Sequence, residues 1–248
     1  MKMKSLMRPA FVLSCALAVR TAAASDATIW TVGEPDGRPD GFALAPDGFR
    51  DFLARDFGYE DKFYLVGHSD PSTDFPYVLP GPADTWGGTW PTSGWRTHEV
   101  NILFGLDEQP DDACRLAVDR ADYAKRFPPL VKVSVNGQEA WFRLNDPDDP
   151  TAAGRRYGQQ VPTGETLSLP GRFARATPRR LEMPLRRGTL RKGGNTVHVT
   201  VLEGSWILFD RVALEGPSSV RPTQSEGLFV RDVAAAPYEA DHDGKRVQ

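Results

Sequence analysis

Cysteine is nearly missing from this chain: only Cys15 and Cys114 occur in 248 residues. That excludes a disulfide scaffold and any Cys-rich zinc module. Long apolar runs are missing as well, none reaching the roughly 18 residues that a membrane-spanning helix requires. Charge of one sign is not in excess. With 30 basic and 33 acidic residues the formal net is −3, which does not suit a nucleic-acid coat or a general membrane-surface binder. No internal repeat stands out. No Gly-x-Ser-x-Gly stretch marks a nucleophilic triad, and His68, His98, His198 and His242 show no short metal-ligand spacing. What is present is ordinary globular composition, 40% hydrophobic and 25% charged, enough for one or two domains. Gly 23 and Pro 21 point to many turns.

The N-terminus reads as an export leader. Lys2, Lys4 and Arg8 form a basic start without an acid, Pro9 to Val19 is a short apolar stretch, and Ala22-Ala23-Ala24 offers small residues for cleavage. Residues 1–24 are therefore expected to be a signal peptide and the mature protein to be secreted or periplasmic. Removing Lys2, Lys4, Arg8 and Arg20 takes the net charge from −3 to −7. It also leaves Cys114 alone, in Ala113-Cys114-Arg115-Leu116, where a buried small hydrophobe is the expected role.

Period-two alternation dominates the rest. Val100, Ile102 and Phe104 alternate, as do Cys114, Leu116 and Val118, and again Val197, Val199 and Val201. The sharpest case is 130–144, where Val131, Val133 and Val135 lead into Asn136-Gly137 and then Trp141-Phe142. Asn-Gly between two such runs predicts a tight hairpin, because a type I′ turn needs positive φ at both central positions. Gly204-Ser205 predicts another turn before Trp206-Ile207-Leu208-Phe209. Helical spacing is confined to Phe49, Phe52, Leu53 and Phe57, enough for at most one short helix near 47–57. The fold expected is all-β, a β-sandwich of the jelly-roll kind over residues 25–216. Residues 217–248, rich in Pro, Ala, Ser and charge, are expected to be a linker or loosely packed tail.

Aromatic residues supply the clearest binding signal. Trp86, Trp90 and Trp95 fall within ten residues, spaced by Gly, Thr, Pro and Ser. A tryptophan face is a large rigid apolar surface with a polar handle, suited to stacking on the C–H face of a sugar ring. The competing reading is a loop that folds back and buries its tryptophans over one end of the sandwich. Charge is unevenly spread: from Thr151 to Gly193 there are ten basic residues against two acids. Arg155, Arg156, Arg172, Arg175, Arg179, Arg180, Arg186 and Arg187 can offer bidentate contacts to uronate carboxylates. Equally, they can form a solvated stretch that offsets the acidic remainder. His68, on an apparent turn, is a candidate ligand contact, whereas His98 and His198 fall in apparent strands and suit structural roles. Asp36 and Asp40, in Asp36-Gly37-Arg38-Pro39-Asp40-Gly41, form a candidate oxygen-ligand loop for structural Ca²⁺, with ordinary Asp-x-Gly turns as the alternative. No acid pair is singled out for glycoside hydrolysis, whose mechanism depends on a spatial separation that sequence does not reveal.

Four stretches together resemble a known family. Residues 29–42, Ile29-Trp30-Thr31-Val32 through Gly41-Phe42, resemble the opening of the C-terminal, carbohydrate-binding-like domain of rhamnogalacturonan lyases of polysaccharide lyase family 4. Tyr64-Leu65-Val66-Gly67 with Asp74-Phe75-Pro76, then Val133 to Gly137, then Gly194-Asn195-Thr196-Val197 through Ser205 to Val212, are similar to its later stretches in the same order. The resemblance implies a jelly roll like galactose-binding modules and a carbohydrate context. In that family elimination belongs to a separate N-terminal domain, for which this chain leaves no room, so no catalytic residue carries over. The expectation is a secreted, non-catalytic module that binds pectin or rhamnogalacturonan-type polysaccharide, an acidic pectic glycan included, without a required cofactor and alongside a separate catalytic subunit. Two alternatives stand: a lyase with Tyr157 or His68 as base and arginine stabilising the enediolate-like charge, or a structural accessory domain of one.

Overall fold

The computed structural model describes residues 27–58, 62–87, 98–144 and 179–224, together with the backbone of five short strands elsewhere. The leader, Trp90, Trp95, Tyr157 and the side chains of Arg155 and Arg156 lie outside the described residues. In chain order the strands are β1 (Ala27–Gly33), β2 (Phe63–Leu65), β3 (Val78–Leu79), β4 (Glu99–Leu106), β5 (Cys114–Tyr123), β6 (Leu130–Val135), β7 (Gln138–Arg143) and β8 (Arg155–Arg156). There follow β9 (Gln159–Gln160), β10 (Arg175–Ala176), β11 (Arg180–Leu185), β12 (Gly193–Glu203), β13 (Ile207–Gly216), β14 (Pro222–Thr223), β15 (Ala240–His242) and β16 (Lys245–Val247).

Two six-stranded sheets form a β-sandwich. One runs β1-β13-β5-β11-β10 with β3 beside β13; the other runs β14-β4-β12-β6-β7 with β2 beside β4. The chain crosses between sheets at β4, β5, β6, β11, β12 and β13, which is jelly-roll behaviour. Alternation in the sequence becomes burial in the sandwich. Val197 and Val199 of β12 are fully inside, as are Val133 and Val135 of β6 and Val212 and Leu214 of β13. Trp30 of the first sheet meets Phe104 of the second with ring centroids 5.1 Å apart, so both sheets share one core.

The Asn136-Gly137 hairpin forms as the sequence predicts, with φ of 47° and 86° at the two positions. Asn136 also ties that turn to the strand beside it: its carbonyl accepts from the Thr196 amide at 2.9 Å and its amide donates to the Thr189 carbonyl at 2.8 Å. Cys114 is buried, with its thiol 3.8 Å from the Asp112 carbonyl oxygen. The 47–57 segment differs from a regular helix. It opens with a 3₁₀ turn, Gly48–Asp51, and continues as turns. Positive φ at Asp56 (53°) and Gly58 (77°) breaks helical propagation there, and Phe52 and Phe57 are buried with centroids 6.0 Å apart. The one α-helix among the described residues, α1 (Pro71–Asp74), has the start signal that 47–57 lacks: Pro71 at its first position and an Asp70 side chain that accepts from the Ser72 amide at 2.8 Å. Beyond Gly216, Val220 is buried and β14 adds to the second sheet beside β4.

Candidate functional site

An aromatic cleft forms where four segments of the chain converge. The 3₁₀ turn brings Phe49, β3 and the residue before it bring Val78 and Tyr77, the turn before residue 88 brings Trp86, and the start of β13 brings Trp206 and Leu208. Pro46 and Asp47 complete the wall of a cleft of about 250 Å³. Trp86 meets Phe49 edge-on, with centroids 5.0 Å apart at 70°, and meets Phe52 at 6.1 Å and 84°. Both tryptophans are half-buried, packed against the core on one side.

The geometry is set by Asp84. This buried carboxylate accepts from the Gly81 amide at 2.8 Å, from the Ser205 hydroxyl and from the Trp86 indole N–H. Burial pushes its pKa up, and those three hydrogen bonds counter the rise in part. The same carboxylate thereby fastens the 81–87 turn to the Gly204-Ser205 turn and fixes Trp86 relative to Trp206. Two glycines allow the approach. A Cβ on Gly81 would lie 2.5 Å from the Gly204 carbonyl oxygen, and one on Gly204, whose φ is +77°, would lie 2.4 Å from that of Pro128. His98 braces the far end of the turn through the Gly87 carbonyl and stacks edge-on against Phe52 at 5.2 Å, a structural use of histidine.

Across the cleft the Tyr77 hydroxyl has a raised pKa, from burial first and from the nearby Asp47 carboxylate second, with a hydrogen bond to the Phe49 backbone opposing both. Aromatic faces beside a few fixed polar groups can stack on the apolar face of a sugar ring while its hydroxyls find hydrogen-bond partners. The volume is at the small end for ligand pockets and suits a ring or two rather than a long chain.

The other sequence-derived candidates lie elsewhere. His68 is exposed on the turn after β2, where its amide donates to the Leu65 carbonyl at 3.0 Å, and the aromatic cleft does not include it. Arg180 is absorbed by the first sheet's own carboxylates, bonding Asp119 at 2.7 Å and Glu215 at 3.4 Å, with Arg211 holding the other oxygen of Asp119 at 2.8 Å. Burial works to raise Asp119, but these two arginines prevail and its pKa is lowered. Arg187 pairs with Asp111 at 3.2 Å in open solvent.

Asp36 lines a second cleft of about 340 Å³, with Phe42 and Asp210 among the other walls. Its carboxylate accepts from the Arg38 amide at 2.9 Å, while Asp210 accepts from the Gly37 amide at 2.9 Å and the Arg38 amide at 3.2 Å. Asp40 faces the Arg38 guanidinium at 3.8 Å. Asp36 thus serves a backbone turn and Asp40 an exposed ion pair. Among the described residues no three Asp, Glu, His or Cys side chains form a group that could hold a metal ion.

Phe49, Tyr77, Trp206, Asp47 and Asp84 were not legible as site residues. The one signal for Trp206 was an aromatic placed directly after the Gly204-Ser205 turn.

The family model for polysaccharide lyase family 4, domain III, CBM-like, matches residues 28–214, from β1 to nearly the end of β13. The chain belongs to this family. The CBM-like domain therefore has a carbohydrate-binding or accessory role, and its aromatic cleft lies wholly within the matched span. A carbohydrate-active domain of this type points to an extracellular setting. No helix among the described residues is long and apolar enough to cross a membrane. No curated protein matches the chain.

Proposed function

We propose that this CBM-like domain is a secreted, non-catalytic module that binds plant cell-wall polysaccharide of the pectin or rhamnogalacturonan type. The observation that carries the reading is the cleft in which Phe49, Tyr77, Trp86 and Trp206 converge within a domain of carbohydrate-binding kind. Stacking on such walls holds a sugar by its apolar face and needs no metal, base or nucleophile. Trp90 and Trp95 as further stacking residues, and Arg155 and Arg156 as uronate partners, belong to the same proposal.

The test is a titration of the purified protein with rhamnogalacturonan, homogalacturonan and neutral galactan, followed by tryptophan fluorescence. Saturable binding to at least one polymer is expected, with loss of the response in Trp86→Ala and Trp206→Ala. Binding that persists in both variants would place the site elsewhere. Absence of any response from all three polymers would refute the proposal and leave the accessory role.

A further inference from the structure

Among the described residues the wall of the aromatic cleft carries one charged side chain, and it is negative. Asp47 stands in its wall, exposed to solvent, and its field reaches the Tyr77 hydroxyl. Among the described residues the lining contains no lysine or arginine. Arg50 stacks over the Phe49 ring with its guanidinium carbon 5.7 Å from the centroid, and it does not line the cleft. Arg180 and Arg211 are held by Asp119 and Glu215. Arg191 is turned back onto the Gly194 carbonyl at 2.8 Å.

On the reading of the cleft as a sugar site, we infer that it accepts a neutral sugar residue of the pectic polymer and discriminates against the uronate. A neutral ring offers an apolar face to Trp86 and Trp206 and hydroxyl donors to the Asp47 carboxylate, a charge-assisted hydrogen bond. A uronate presents a second carboxylate to the same small space. Like charges a few ångströms apart at a half-exposed site cost about a tenfold loss in affinity, and salt screens that cost. The domain would then anchor a pectic polymer through its neutral sugars.

Asp47 permits a clean test. It precedes the 3₁₀ turn, but its side chain makes no capping hydrogen bond, so Asp47→Asn removes the charge without removing a cap. The probes are a neutral galactotriose and a trigalacturonate of equal length, titrated by calorimetry at low and high salt. The neutral trimer is expected to bind about tenfold more tightly at low salt, with the gap narrowing at high salt. In Asp47→Asn the neutral trimer should weaken several-fold while the uronate trimer tightens. A neutral preference unchanged in Asp47→Asn would overturn the inference. So would a uronate trimer that binds as tightly as the neutral one and is lost in Trp206→Phe, although that result would keep the sugar-site reading. If neither trimer binds a protein whose melting is intact, the sugar-site reading fails and the inference fails with it.

Discussion

Replacing Asp84 should loosen the cleft before it unfolds the domain. Its carboxylate receives donors from Gly81, Ser205 and Trp86 in a buried setting. Asp84→Ala strands these donors, and each unsatisfied buried donor costs about 1–3 kcal/mol. Removing a desolvated charge returns part of that, as the upward push of burial on its pKa indicates. The expected net loss is about 2–4 kcal/mol, within the range for breaking a buried hydrogen-bond network. Urea denaturation followed by circular dichroism measures it as a lower midpoint at unchanged slope. Because burial raises its folded-state pKa, Asp84 keeps its proton to a higher pH in the folded protein than in the unfolded chain. The group's contribution to stability therefore falls as pH rises from its unfolded pKa through its folded one, and this descent should vanish in Asp84→Ala. Asp84→Asn keeps one acceptor and should lose less stability, yet still weaken glycan binding, because the indole of Trp86 loses its fixed partner. An Asp84→Ala protein with the wild-type midpoint and wild-type binding would show that the carboxylate does not hold the turn.

Gly204→Ala should cost at least about 2 kcal/mol, since the site combines positive φ with a Cβ that would press on the Pro128 carbonyl; a melting temperature within a degree of wild type would contradict this. Glu99 has its pKa lowered by the hydrogen bond with His198, whose Nδ1 lies 2.9 Å from its carboxylate. Its stabilisation is thus present above the ordinary glutamate pKa and lost as pH falls through the depressed folded value, and Glu99→Gln should flatten the acid limb of a stability–pH curve. Val199→Ala, at a fully buried position, should cost about 2–3 kcal/mol in denaturation while leaving the order of glycan preference unchanged. EDTA should leave both melting temperature and glycan titration unaltered; a drop restored by Ca²⁺ would show that the Asp36–Asp40 loop completes a metal site.

Short-range chemistry in the sequence carried most of the fold and little of the cleft. Asn136-Gly137 specifies its own turn through two backbone angles, and the valines flanking it specify their own faces, so both could be read locally. Trp206 could not, because its role depends on a hydrogen bond between Ser205 and Asp84, 121 residues apart. Phe49 was visible as an apolar position but not as a wall, since the turn that carries it is shaped by tertiary contact. Arginine excess was legible as composition, whereas its use was not. Arg180 finds Asp119 across 61 residues of sequence and a strand pair, and its positive charge is spent inside the sheet.

The pairing of β1 with β13 decides where the two ends of the matched domain lie. Ala27 lies opposite Gly216, so both ends of the matched domain leave from one corner of the sandwich. The cleft belongs to the other end of the same strand, at Trp206 and Leu208, and the ten residues of β13 span roughly 33 Å at about 3.3 Å each. The ends of the matched span thus lie a full strand's length from the cleft. With its aromatic cleft at one pole and both ends of the matched span at the other, the sandwich has a polarity that runs along β13.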